Sequence, residues 1–312
     1  YPGYGQLQGK PFMDSTTFTA ADGAKLALRH WEVDNPKAIA IGVHGFNDYS
    51  KSFEGVAQFF NAHQIDMLAY DQRGFGMNPK PGRWHGSEAM RRDLADFILA
   101  VREEYQHVPL YVIGDSMGGA ITATTMAQYP HLPVKGIILS APATWGRSVM
   151  PFYQTAALWL SSHTLPWLDL SARPLDLKPS NNIEMLRELG RDPYVLKSAR
   201  VDALAGITDL MDEALALAPH LTAPALIVYG ANDVIVPKPA LCAFMKKLPP
   251  QSQGGDWRLA IYKDGYHMLL RDLEAPLLYH DILAWMEDKT APLSHAFEES
   301  SAANPRAVSL CK

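Results

Sequence analysis

Short, near-continuous apolar runs alternate along this chain with longer stretches of helical periodicity. Residues 37–43, 64–70, 110–114, 134–140, 225–230 and 257–262 are the apolar runs, each of strand length. A strand buried on both faces has no polar side to show, so the pattern predicts parallel strands inside a sheet. Between them, 51–62 places Phe53, Val56, Ala57 and Phe60 on one face. A longer helix is predicted from a Ser87 cap to about residue 105, with Met90, Leu94, Phe97, Ile98 and Val101 in one stripe. Further helices are predicted after Ser116, over 237–248 and over 272–287. Near the start, 16–20 and 25–32 read as two strands around an Asp22-Gly23 turn, an antiparallel edge. Strand alternating with helix predicts an α/β protein whose mainly parallel sheet is covered on both faces.

One segment breaks the alternation. Residues 143–220 show no strand pattern, only helical patches carrying Trp145, Phe152, Tyr153, Trp159 and Trp167. Pro151, Pro166, Pro174, Pro179 and Pro193 divide it into short helices. An insertion between two sheet strands reads as a cap at the end of the sheet where sites form. The expected organisation is a core of 1–142 and 221–290, a helical cap of 143–220 and a tail of 291–312. The tail lacks apolar periodicity and reads as a loose terminus or a segment packed on a neighbour.

Composition narrows the class. With 312 residues, 47% of them hydrophobic, the chain can bury a large core. A net charge of −5 without basic runs argues against nucleic acid as a partner. No stretch reaches the roughly 18 apolar residues of a membrane span. Cys242 and Cys311 lack metal-ligand spacing, no His/Cys/Asp cluster has it, and a bridge between the two cysteines stays open. The chain begins at Tyr1, which fits a removed export signal as well as trimming, so cytoplasmic and exported locations are both expected alternatives.

The chemistry concentrates at Gly114-Asp115-Ser116-Met117-Gly118. G-x-S-x-G between a strand and a helix is the pattern of a nucleophile elbow, a turn tight enough to need very small flanking residues. A serine hydroxyl needs a base, and the base an orienting acid. Asp233 follows the run 225–230 and His267 follows 257–262, giving the chain order Ser, Asp, His. Asp209 and Asp264 are the weaker candidates for the acid. His44-Gly45-Phe46 follows another strand, so the backbone N–H groups of Phe46 and Met117 are the expected oxyanion donors. His44 and Trp145 are candidate substrate contacts. Asp71 and Arg73, in Asp71-Gln72-Arg73-Gly74-Phe75-Gly76, are expected to pair and brace that loop.

Together these motifs and Gly265-Tyr266-His267 resemble the α/β-hydrolase superfamily, and within it the monoacylglycerol lipase/lysophospholipase-like group of serine hydrolases. The resemblance spans about residues 40–270. It implies an eight-stranded sheet, a helical cap after the sixth strand, no cofactor, and Ser116, His267 and Asp233 as nucleophile, base and acid. Asp115 departs from the His or Glu more usual before the nucleophile in this group. The expected function is a serine carboxylic-ester hydrolase for a small ester or lipid, with the apolar cap suited to touch a membrane surface. Amide or peptide hydrolysis and peroxide-dependent acyl exchange are alternatives on the same triad. A non-catalytic binder is disfavoured by the presence of all three residues, and a dehalogenase or epoxide hydrolase by Ser rather than Asp at the elbow.

Overall fold

The computed structural model describes residues 1–171, 177–301 and 309–312. Apolar runs become strands as expected. β1 (Phe12–Met13), β2 (Thr17–Thr19) and β3 (Lys25–Trp31) form the antiparallel edge, and β4 (Ala38–Val43) and β5 (Ile65–Tyr70) follow. β6 (Leu110–Asp115), β7 (Gly136–Ser140), β10 (Ala225–Gly230) and β11 (Trp257–Tyr262) continue the sheet. The two strands between β7 and β10 in sequence are β8 (Asp169–Ser171) and β9 (Ser198–Arg200), and β12 (Phe297–Ser300) comes last. The sheet order is β1-β2-β3-β5-β4-β6-β7-β10-β11-β12. β5, β4, β6, β7, β10 and β11 run parallel, with Ile39 opposite Leu110 and Val112 opposite Ile137.

Both faces of the sheet are covered, which is why the central strands carry no polar alternation. In β4, Ile39, Ile41 and Val43 join one core, while Ala38 and Ala40 join the other. The first core takes the stripe Met90, Leu94, Phe97, Ile98 and Val101 of α2 (Ser87–Glu104) and Met117 and Ile121 of α3 (Met117–Gln128). It also takes Leu210 of α6 (Val201–Leu217) and Phe244 of α7 (Lys238–Lys247). The second core takes Val56 and Phe60 of α1 (Glu54–Ala62) and Ile282 and Trp285 of α8 (Ala275–Glu287).

The structure corrects several expectations. The sheet has ten strands rather than eight, because β1 and β12 extend its two edges. The tail is not loose where described: β12 pairs antiparallel with β11, Arg258 Nε donates to Glu298, and Cys311 is disulfide-bonded to Cys242 of α7. Its residues 302–308 lie outside the described residues. The insertion contains α4 (Phe152–Thr164), α5 (Ile183–Arg191) and α6, but also two strands, β8 and β9, paired antiparallel. Three-residue strands are too short to print a period-2 pattern, which is why the sequence does not announce them. Pro174 lies outside the described residues. Ser87 is not a cap: Gly86, at φ 106°, holds that position, and the Ser87 hydroxyl donates to Glu213 of α6 at 2.8 Å.

The insertion reaches the loops that follow β4 and β11. Leu196 N–H donates to Asn47 O, Asn47 Nδ2 donates to Ser198 O, and Met268 N–H donates to Pro179 O. It therefore lies against the C-terminal end of the parallel strands.

Candidate active site

β6 ends at Asp115 and α3 begins at Met117, leaving Ser116 alone in the turn. Its backbone sits at φ 53°, ψ −110°, a conformation that side chains rarely adopt. The turn is held by Ser116 N–H on Ser140 O at 2.9 Å and by Gly119 N–H on Ser116 O at 2.9 Å. Close packing inside the turn and against the end of β4 demands glycine at two flanking positions. A Cβ on Gly114 would stand 2.3 Å from Gly118 O, and one on Gly118 would stand 1.9 Å from Val43 O.

The three residues expected from chain order meet in space. Ser116 Oγ and His267 Nε2 are 3.0 Å apart. His267 Nδ1 donates to Asp233 Oδ2 at 2.9 Å. Asp233 Oδ1 accepts from the N–H groups of Ile235 and Val236 at 2.8 and 2.9 Å, which aims the carboxylate's other oxygen at the imidazole. Burial by itself would depress the His267 pKa, but the hydrogen bond and charge of Asp233 outweigh it, and the pKa stands above the ordinary histidine value. The rival acids lie elsewhere: Asp209 pairs with Arg147 at 2.8 Å, and Asp264 is exposed.

The loop after β4 abuts the elbow. A Cβ on Gly45 would be 3.6 Å from Ser116 Cβ, so Phe46 begins beside Ser116. Met117 opens α3, where first-turn N–H groups have no acceptor within the helix. His44 does not face the open site, contrary to its candidacy as a substrate contact. It is fully buried, its Nδ1–H donates to Gly45 O at 2.7 Å, and its Nε2 accepts from Gln72 N–H at 2.9 Å. Burial holds its pKa below the usual value, so the neutral ring joins the β4 loop to the β5 loop. Trp145 is half-buried, and Ala143, two residues earlier, donates its N–H to Ser116 O at 2.9 Å.

Asp71 and Arg73 do not pair with each other. Arg73 forms two hydrogen bonds to Asp22 at 2.8 Å and two to Asp93 at 2.7 Å, all buried. Asp71 instead accepts from Ser50 N–H and Met77 N–H at 2.9 Å. Both still brace the loop, through partners that adjacency in sequence does not reveal.

A charged group behind Ser116 and His267 is barely legible in the sequence. Arg271 donates to Asp48 at 2.6 Å, across 223 positions of chain. Asp115 is buried beside them, and one of its carboxylate oxygens has no partner among the described residues. Burial pushes its pKa up to about 6, against the opposing pull of Arg271 and His267. The only hint in the sequence is the unusual carboxylate at the elbow.

Fold and site together define an α/β-hydrolase. A family model described as serine aminopeptidase, S33 (Hydrolase_4) matches residues 34–274, and the chain belongs to that family. Within it, the chain is of the monoacylglycerol lipase-like group, a lipase- and esterase-like hydrolase of the α/β fold. It is similar to the monoglyceride lipase of Homo sapiens, 29% identical over 91% of this chain and 94% of the relative. It is also similar to the monoacylglycerol lipase of Mycolicibacterium smegmatis, 27% identical over 86% and 95%. Among solved structures, a soluble variant of the Saccharomyces cerevisiae monoglyceride lipase in complex with a substrate analog shares the fold. Its TM-score is 0.73 at 21% identity, over 92% of this chain and 96% of that one.

Proposed function

We propose that this protein hydrolyses carboxylic esters of the monoacylglycerol type through an acyl-enzyme on Ser116. The observation that carries the reading is the hydrogen-bonded line from Ser116 Oγ through His267 to Asp233, at 3.0 and 2.9 Å, on a strained elbow. His267 Nε2 takes the Ser116 proton as Oγ attacks the ester carbonyl. The N–H groups of Phe46 and Met117 receive the oxyanion. Imidazolium then protonates the leaving alcohol, with Asp233 holding the ring and its charge. Water, deprotonated by His267, releases the acid. Asp233 stays ionised throughout and acts by orientation and charge.

The insertion of 143–220 is the proposed cap, with Trp145 as a wall of the acyl site. An apolar wall favours longer chains by about 0.8 kcal/mol for each buried CH₂ until the site is full. The outer surface of the cap points to a lipid surface as the place of work. α4 contains no Asp, Glu, Lys or Arg, and Phe152 and Trp159 on it are 85% and 61% exposed. A contiguous apolar patch of this kind marks an interaction site.

The test is initial rates on p-nitrophenyl esters from acetate to palmitate and on a monoacylglycerol, for wild type and Ser116→Ala, with fluorophosphonate labelling of both. Turnover and labelling lost together in Ser116→Ala are expected. Labelled Ser116 with no ester turned over would reject the ester reading in favour of amide substrates, a reading that the family's aminopeptidase description favours, or of peroxide-dependent acyl exchange.

A further inference from the structure

His267 sits on the loop after β11, and its two neighbours in the chain are tied to the insertion, one directly and one through a carboxylate. On one side, Met268 N–H donates to Pro179 O at 2.9 Å. On the other, Tyr266 N–H donates to Asp272 Oδ2 at 2.8 Å, while Asp272 Oδ1 accepts from the Ser180 hydroxyl at 2.6 Å. One carboxylate thus joins the residue before His267 to the insertion.

The burial of these groups is out of keeping with their surroundings. Leu177 and Lys178 are exposed, yet Ser180 is 0% and Asp272 6% exposed. A buried hydroxyl on a surface insertion is there for its partner. Three further contacts tie the same short segment to the same loop. Asn182 Nδ2 donates to Arg271 O at 2.9 Å, Leu273 N–H donates to Asn181 Oδ1 at 3.0 Å, and Lys178 Nζ lies 5.0 Å from the Tyr266 ring centre. Asn182 also caps α5, accepting from Met185 N–H at 3.2 Å, so the strap runs directly into an insertion helix.

We infer that Ser180 and Asp272 are positioning residues for His267, so that segment 179–182 sets the base in place and the insertion acts on catalysis itself as well as on substrate binding. The inference rests on the ester-hydrolase reading of the site. If the insertion only shaped the acyl pocket, loosening it would raise KM for long chains and leave the smallest ester untouched. If it places the base, even an acetyl ester feels the loss, because His267 no longer holds hydrogen-bond geometry to Ser116 Oγ. Displacements of the order of 1 Å in such groups cost about 100-fold in rate.

The experiment compares wild type with Ser180→Ala on p-nitrophenyl acetate, with active sites counted by exhaustive fluorophosphonate labelling. A fall in kcat of about 10- to 100-fold is expected, with KM within about twofold and labelling slowed by a similar factor. The far-downfield proton NMR signal of the His267–Asp233 hydrogen bond should broaden in the variant. Should Ser180→Ala fail to fold, Asp272→Asn replaces it: the isosteric amide cannot serve both Ser180 and Tyr266 as acceptor. A folded variant with wild-type kcat and an unchanged downfield signal would overturn the inference, and so would a change confined to KM for long-chain esters. A wild-type protein inert towards esters and the probe would remove the ester reading alone, since the downfield proton still decides whether the strap holds His267.

Discussion

Breaking the Cys242–Cys311 bridge should cost stability without costing chemistry. The bond closes a loop across a sequence separation of 69 residues, from α7 to the end of the chain. In the chain-entropy model, a loop of that size contributes about 4 kcal/mol at 25 °C by restricting the unfolded ensemble. For a chain of 312 residues this corresponds to a fall in Tm of roughly 6 °C. The triad should not feel the loss. Asp233 precedes α7 and takes its aim from the Ile235 and Val236 N–H groups, neither of which depends on the tail. The assay is denaturant unfolding and thermal melting of wild type and Cys311→Ser, with kcat on a short ester measured at 25 °C. A stability change below about 1 kcal/mol would refute the loop-closure estimate. A matching loss of kcat at 25 °C would show that the tail supports the acid loop, contrary to the hydrogen bonds seen there.

Other predictions follow from charge and exposure. On the proposed mechanism, in which His267 acts as a neutral base, the acidic limb of kcat/KM should have its midpoint above the ordinary histidine value, because the His267 pKa is raised. Asp115→Asn removes a negative charge that favours imidazolium, so that midpoint should move to lower pH; an unmoved limb in the variant's pH–rate profile would show that Asp115 does not act on His267. Arg73→Met should destabilise the fold by about 3–5 kcal/mol in urea titrations, since it leaves Asp22 and Asp93 buried without their cation. Asp93, whose pKa burial already raises to about 7, should then be protonated at neutral pH, so part of the lost stability should return as pH falls. Phe152→Ser with Trp159→Ser should weaken sedimentation with phosphatidylcholine vesicles while leaving turnover of p-nitrophenyl acetate unchanged; equal sedimentation would reject α4 as the lipid contact.

What the sequence determined by itself is local. An apolar run of five or six residues with no polar alternation has to be buried on both faces, so β4, β6 and β10 were legible one at a time. The elbow was legible because its glycines recur at fixed spacing about one serine: a Cβ on Gly114 would strike Gly118 O within the turn itself, although what excludes one on Gly118 is Val43, brought there by the fold. The order Ser116, Asp233, His267, each just past a strand, foretold that the three would meet, because parallel strands bring their C-terminal ends together. Tertiary structure decided whatever depends on which distant groups become neighbours. Arg73 has a carboxylate two residues away, yet it pairs with Asp22 and Asp93 across the fold. His44 carries an ionisable ring in the loop beside Ser116, yet packing makes it a neutral brace. Arg271 with Asp48, Ser180 with Asp272 and Cys242 with Cys311 are separated by 223, 92 and 69 positions. No periodicity links such partners. Hydrogen bonds and ion pairs act over a few ångströms, and only the packed sheet and its insertion bring these groups within that range.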